Sequence, residues 1–218
     1  WNNMNSAPVA NAPISDLKDE AGLSTGMTLT LVDPWTAQTA TGYTSGNNGG
    51  LYPDNVLLTS YYYGTANTDR TIKLSGLSVT KKYNLIFFAS RNNYASSLMT
   101  RYTAGGQSVD LQVANNISGT VQINDISPDA AGEILIKARA IAGPNAYIGA
   151  LIVQAYTPDT ENPAAPANLS ATGIAKDKIQ LKWESVANTG YEVWRSMTAN
   201  GAYTKRAEVT ANSTGYID

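Results

Sequence analysis

The chain has 218 residues, which at roughly 100–200 residues per domain is one or two domains. Charged residues make up 15% of it, against about 25% in an average soluble protein, and 43% is hydrophobic. Fifteen Lys and Arg against seventeen Asp and Glu give a net charge of −2, which excludes a strongly basic nucleic-acid reader. Histidine and cysteine are both absent, so Ser/Cys–His catalysis, imidazole acid–base chemistry and Cys/His zinc sites are excluded by inventory. The richest apolar run, Leu85 to Ala89, is strand-sized, far short of the roughly 20 residues that span a bilayer. No membrane insertion is expected.

In chain order, Ile14 to Gly22 is the single helical hint, with Ser15 or Asp16 as a cap and Gly22 as a stop. Met27, Leu29 and Leu31 then alternate with Thr28 and Thr30, the period of a half-buried strand. Val56 to Tyr63 reads as a strand with apolar or aromatic residues on both faces, and Thr71 to Leu74 as a short one. Lys82 to Ala89 sets Tyr83, Leu85, Phe87 and Ala89 against Asn84, Ile86 and Phe88, a central strand covered on both sides. Further strands are expected at 98–103, 108–113, 120–123, 133–140 and 147–155, separated by Gly105-Gly106, Asn115-Asn116, Pro128-Asp129 and Gly143-Pro144-Asn145 turns. Eight or nine such strands indicate an antiparallel two-sheet sandwich.

Residues 157–166 carry three prolines and no apolar periodicity, a semi-stiff linker. Alternation restarts beyond it with Leu169 and Ala171, then Ile179, Leu181 and Trp183, then Tyr191, Val193 and Arg195. Trp183 reads as core and Trp194 as outward-facing. The domains expected are therefore 1–156 and 167–218.

Aromatic residues in polar surroundings are the best functional lead. Trp35, Tyr43, Tyr52 and Tyr61-Tyr62-Tyr63 lie in or beside the stretch from Asp33 to Asn67, with Asn47, Asn48, Asn55 and Asn67 nearby. A sugar site needs flat aromatic faces for C–H groups and amides or carboxylates for hydroxyls. Strand alternation allows at most two of the three tyrosines to line one site, and Tyr61 and Tyr63 are the pair expected. Arg91-Asn92-Asn93-Tyr94 follows the central strand and offers a guanidinium fork, amides and a stacking face, with Arg101 able to come alongside. The candidate ligand-binding set is Trp35, Tyr61, Tyr63, Arg91, Asn92 and Tyr94. Against it stands a plainer account, in which the aromatics cover sandwich edges and Arg91 is tied to a carboxylate or carbonyl.

Other chemistries find less support. Asp33, Asp54 and Asp129 sit beside prolines as turn residues, and Asp69, Asp110 and Asp125 show no spacing of an opposed glycosidase pair. Gly46-Asn47-Asn48-Gly49-Gly50 lacks the Lys and Ser/Thr of a phosphate loop and reads as a mobile loop. No cofactor is expected. Turn oxygens can build a structural calcium site, but no Asp-x-Asp-x-Asp run exists to name its ligands. Asn116, Asn168 and Asn212 fit the Asn-x-Ser/Thr pattern, which matters in a glycosylating host.

Residues from Pro166-Ala167-Asn168-Leu169-Ser170-Ala171 through Ile179-Gln180-Leu181-Lys182-Trp183 and Gly190-Tyr191-Glu192-Val193-Trp194-Arg195-Ser196 resemble a fibronectin type III domain, and Gly201 to Lys205 and Thr214 to Asp218 continue the match. That resemblance implies an immunoglobulin-like sandwich with two further strands, so the chain is expected to be part of a longer protein. More loosely, residues 1–155 resemble the galactose-binding-like or malectin-like jelly-roll modules of secreted bacterial proteins. The carriers are Trp1-Asn2-Asn3, Leu74-Ser75-Gly76-Leu77, Tyr83 to Arg91, Arg101-Tyr102-Thr103, Asp129 to Ile134 and Tyr147 to Leu151. Such a module usually starts with a strand ahead of the Trp-Asn-Asn run.

The expectation is thus an all-β chain, an antiparallel jelly-roll sandwich followed by a partial fibronectin type III sandwich. Its composition, rich in Asn, Thr, Ser and Gly and poor in Lys and Glu, points to an extracellular or cell-surface bacterial protein. The chain opens at Trp1 with no basic-then-apolar leader pattern, so no signal peptide is expected within it. Its expected role is non-catalytic binding of a polysaccharide or other glycan, as an enzyme accessory or adhesin. The alternative is a structural stalk, spacer or filament segment contacting neighbouring modules of the same chain or assembly.

Overall fold

A computed structural model describes residues 1–4, 7–43, 52–158, 165–186, 190–198 and 201–218. The loop at 46–50, with Asn47 and Asn48, and linker positions 159–164 lie outside the described residues. The chain divides into two compact units, Trp1–Pro158 and Asp159–Asp218.

The first unit holds β1 (Ala12–Ile14), β2 (Thr28–Leu31), β3 (Ala37–Thr39), α1 (Asp54–Leu58), β4 (Ser60–Tyr63), β5 (Arg70–Ser75), β6 (Lys82–Phe88), β7 (Met99–Ala104), β8 (Gln107–Gln112), β9 (Val121–Ile126), β10 (Ile134–Ala142), β11 (Ala146–Ile148) and β12 (Ala150–Tyr156). One sheet has the order β1-β2-β5-β10-β7-β8. The opposing layer is made of β11-β4-β3 and β12-β6-β9, joined where the chain runs from β11 through Gly149 into β12. Every pairing is antiparallel. The chain crosses between layers after β2, β4, β5, β6, β8, β9 and β10, so neighbours in sequence mostly face one another across the core. This is a jelly-roll sandwich.

Period-2 alternation places the core. Ile134, Ile136, Ala138 and Ala140 of β10, Ile72 and Leu74 of β5, and Tyr102 of β7 point inward and meet Tyr83, Leu85 and Phe87 of β6 and Ile123 and Ile126 of β9. The Phe87 and Tyr102 rings stack across the layers at 4.2 Å and 6°. On the outward face of the six-stranded sheet, Arg101 and Arg139 stand directly opposite each other, a repulsive register. Each is neutralised sideways, Arg101 by a two-pronged pair with Asp110 and Arg139 by Asp69 at 2.6 Å.

A second cluster covers the other face of β6 and β12. Phe88 and Ala150 lie beneath Leu57 of α1 and Tyr52, whose ring stacks on Phe88 at 4.8 Å, while Trp1 leans on Tyr52 at 5.4 Å. The central strand is therefore covered on both sides, as its sequence requires.

Two local expectations are corrected. Residues 14–22 form no helix: Asp16 takes φ 52° and Gly22 φ 80°, and Lys18 bridges Ser24. The carboxylates cause this. Asp16 accepts hydrogen bonds from the Ser24 hydroxyl and the Gly26 amide, and Asp19 accepts from the Ala21 and Leu23 amides, so side chains take backbone donors that a helix would need. Val56–Tyr63 is not one strand either. Pro53 opens α1 with φ −61°, Asp54 sits in its first turn, and the chain turns extended only at Thr59.

The second unit has the sheets β13 (Ser170–Ala175)-β14 (Lys178–Lys182)-β17 (Gly215–Ile217) and β15 (Gly190–Arg195)-β16 (Thr204–Thr210). Its buried apolar residues are Trp183 and Val193, and the Trp183 and Tyr191 rings meet at 5.2 Å. Trp194 is exposed, with its indole N–H donating to Glu192.

Candidate functional site

Alternation along β4 decides which tyrosines can meet a ligand. Tyr61 is 9% exposed, belongs to the core, and donates its hydroxyl to the Met4 carbonyl at 3.0 Å. Burial pushes its phenol above the ordinary range. Tyr63, on the same side of the strand, lies under the Arg70 guanidinium at 3.6 Å. Trp35 is 4% exposed within the core cluster. Trp35 and Tyr61 therefore do not present faces to a ligand, and those two expectations are corrected; Tyr63 is half-buried, with Arg70 over one side of its ring. A run of three aromatics carries no polar residue to mark its outer side, which is why the sequence could not separate them.

Tyr62 projects the other way. It is in register with Tyr147 of β11, and the rings lie 6.0 Å apart at 30°. Tyr147 is held at three points: its amide donates to the Thr100 hydroxyl at 2.9 Å, its carbonyl accepts from the Tyr102 hydroxyl at 2.6 Å, and its phenol oxygen accepts from the Asn145 amide at 3.3 Å. The reason is local. At this position β11 has β4 on one edge only, so buried side chains of β7 satisfy the free peptide groups on the other. Burial raises the Tyr147 phenol, opposed by the Asn145 hydrogen bond and the Arg91 charge and reinforced by the Tyr94 and Tyr62 phenols. These groups share one electrostatic neighbourhood.

Arg91, Asn92 and Tyr94 reach this neighbourhood on a braced loop. The Arg91 amide donates to Val113 O at 3.0 Å, and its carbonyl accepts from the Asn115 amide at 2.8 Å. The Asn92 amide donates to Thr41 O at 2.8 Å, and the Asn92 side chain accepts from the Asn93 amide. Asn115 brackets Tyr94 through both main-chain groups, and Asn116 donates to Ala89 O at 2.9 Å. Arg101 does not come alongside, being bound to Asp110 on the outer sheet face.

The Asn92 main chain is bonded to Thr41, while Arg91 and Tyr94 act electrostatically on the cluster of Tyr62, Tyr147 and Asn145. Sequence reasoning passed over the last three. Asn145 was visible as a turn residue, and only the β4–β11 register reveals its neighbours. Tyr147 is itself only 3% exposed, so what the set offers a ligand is a guanidinium, the Tyr62 and Tyr94 phenols and the Asn145 amide, suited to holding hydroxyls or carboxylates by hydrogen bonds and sugar rings by stacking.

Carboxylates suited to acid–base chemistry are engaged elsewhere. Asp33 accepts from the Thr71 amide, Asp129 from the Ala131 and Glu133 amides, and Asp69 and Asp110 hold arginines. Among the described residues no group of three or more acidic side chains is placed to hold a metal ion. No described helix is long and apolar enough to cross a membrane.

No family model matches the chain. Exoglucanase B of Cellulomonas fimi is 28% identical over 103 residues, which is 43% of this chain and 9% of that protein. The chain therefore spans under a tenth of this relative. Among solved structures, the N-terminal CBM22-1–CBM22-2 tandem domain of Paenibacillus barcinonensis Xyn10C aligns with 97% of this chain and 85% of its own at 15% identity and a TM-score of 0.36. A ruminal GH26 endo-β-1,4-mannanase aligns with 68% of this chain and 27% of its own at 14% identity and a TM-score of 0.32. Likeness at this level leaves the reading of the site to its own chemistry.

Proposed function

We propose that residues 1–156 are a non-catalytic carbohydrate-binding module of a larger extracellular or cell-surface protein. In this reading 157–166 is a linker and 167–218 a spacer of fibronectin type III kind. The observation that carries the proposal is half-buried Tyr62 packed on Tyr147, itself bonded by Asn145, with the Arg91 charge and the Tyr94 phenol acting on the same group from a braced loop. The exoglucanase name of the sequence relative fits an accessory module of a polysaccharide-acting protein. A single shallow site of this kind binds with about 4–8 kcal/mol, millimolar to micromolar.

The test is retention of the full chain on a glycan array and on insoluble polysaccharides. Saturable retention on one glycan class is expected. Tyr62→Ala and Arg91→Ala should each remove it while the melting temperature stays within a few degrees, since both side chains are only half-buried. A folded wild type that retains nothing on any glycan refutes the module and leaves the structural segment. For the second unit that alternative has its own support, because Leu169, Trp194, Met197 and Tyr203 stand exposed as a protein-contact surface would.

A further inference from the structure

The charges of the first unit are almost all accounted for. Of the six arginines in the chain, Arg101 binds Asp110, Arg139 binds Asp69, Arg195 and Arg206 bind Asp218, and Arg70 lies on the Tyr63 ring. Arg91 is the exception: among the described residues its guanidinium has no ion pair, no side-chain hydrogen bond and no aromatic ring beneath it. Its main chain, by contrast, is pinned on both sides, by Val113 and Asn115. A half-buried guanidinium held on a rigid base without a counterion is an unfilled demand for an anion.

The chain itself has little to offer it. Asp16 is taken by Lys18 and Ser24, Asp33 by the Thr71 amide, Asp125 by the Tyr156 hydroxyl, Asp129 by a turn and Glu133 by Lys73. The groups that act on the Tyr147 phenol together with Arg91 are neutral: the Tyr62 and Tyr94 phenols and the Asn145 amide. The planar fork matches the two oxygens of a carboxylate, with phenols and amide left for sugar hydroxyls.

We propose that the Arg91 corner selects a carboxylate-bearing sugar, a uronic-acid unit of an acidic polysaccharide, over its neutral counterpart. This rests on the carbohydrate-binding reading above and specifies its ligand. General attraction of polyanions does not mimic it, because the chain carries a net charge of −2.

The experiment is affinity electrophoresis and calorimetry on the full chain at physiological salt. The probes are polygalacturonate, alginate and glucuronoxylan, each beside its carboxyl-reduced form, with dextran sulfate as a sulfate-bearing polyanion. At least one acidic probe should bind about tenfold or more tighter than its reduced form, the size of one charge-assisted pair. Arg91→Gln should erase that difference, Arg91→Lys should keep part of it, and Lys81→Gln, a surface cation outside the corner, should leave it intact. Equal binding of acidic and reduced forms overturns the carboxylate preference while the carbohydrate reading stands. Arg91-dependent binding of dextran sulfate alone overturns the carboxylate as the anion. Binding of none of these probes, with the chain folded, overturns the carboxylate preference, and the glycan array decides the carbohydrate reading separately.

Discussion

The peptide unit at Tyr147 is the point where the sandwich is most easily tested, because two side chains of β7 do what a neighbouring strand does elsewhere. Tyr102→Phe removes one oxygen atom and little else. Tyr102 is 0% exposed, and a phenylalanine ring retains the stack on Phe87, so packing is preserved. What goes is the hydrogen bond of 2.6 Å to the Tyr147 carbonyl, in a residue only 3% exposed. A buried carbonyl left without a partner costs about 1–3 kcal/mol. In a unit of this size that lowers the melting temperature by roughly 2–12 °C, at about 2–4 °C per kcal/mol. Urea and thermal unfolding read it directly, and an unchanged m-value shows that the loss is local. Thr100→Val orphans the amide of the same peptide and should cost a similar amount, and the double variant should fall short of the sum because both act on one group. Because Tyr147 faces Tyr62 and the Arg91 loop, Tyr102→Phe should also weaken glycan retention. A Tyr102→Phe protein within about 0.5 kcal/mol of wild type, the range of an inconsequential surface change, would refute this account of the β11 edge.

Trp35→Ala and Tyr61→Ala should each destabilise the first unit by about 3–5 kcal/mol, as core truncations do, whatever happens to binding; chemical denaturation measures this, and a native-like midpoint in either would return that residue to the ligand site. Gly149→Ala should cost about 1–3 kcal/mol, because a Cβ there meets Ser60 Oγ at 3.0 Å, Phe88 O at 3.2 Å and Thr59 O at 3.3 Å, two of them backbone; an unperturbed melt would show that the junction can relax. Stability should fall in alkali. Tyr52, Tyr61, Tyr102 and Tyr147 are all raised above 10.0 by burial, so their contribution is complete below pH 10.0 and is lost as pH climbs through the folded values. Phenolate absorbance should accordingly rise in two parts, exposed tyrosines first and the buried ones together with unfolding; a single early rise in a chain that stays folded would contradict it.

Alternation was informative wherever one face of a strand is wet. The strand expected at 133–140 forms as β10, with Ile134, Ile136 and Ala138 buried and Leu135 and Lys137 exposed. It failed where both faces are covered or both are aromatic. Tyr61 and Tyr62 look alike to a pattern, yet one is core and the other is half-buried against Tyr147, and only pairing with β11 separates them. Trp35 illustrates a different limit: it follows Asp33-Pro34 in a polar stretch, so local sequence suggests a surface loop, whereas the hydrogen bond its amide donates to the Pro8 carbonyl and its place in the core are long-range. The missing helix at 14–22 has the same origin in reverse. Asp16 and Asp19 are good capping residues for a helix and equally good at folding a loop onto themselves, and the strands on either side decide between the two.

The place of the candidate site follows from the topology. β6 and β12 run together from Lys82–Tyr156 up to Phe88–Ala150, and Gly149 donates to Phe88 O at 2.9 Å as the last link. Beyond it the partners separate. β12's upstream continuation, β11, crosses to β4, while the continuation of β6 turns away through Ser90 to bond Val113, Asn115 and Thr41. Where two paired strands part, one edge loses its main-chain neighbour, and something polar must take over. Inside the sandwich that role falls to Thr100 and Tyr102, which hold Tyr147. Beside it stand Tyr62 and Asn145, with Arg91 and Tyr94 acting on its phenol, and among the described residues the Arg91 guanidinium has no ion pair. The hydrogen-bonding demand that makes Tyr102→Phe costly and the placing of the Arg91 loop thus come from one event, the parting of β6 from β12. A variant that loosens Tyr147 should therefore weaken binding without removing the acid preference, which belongs to Arg91 alone.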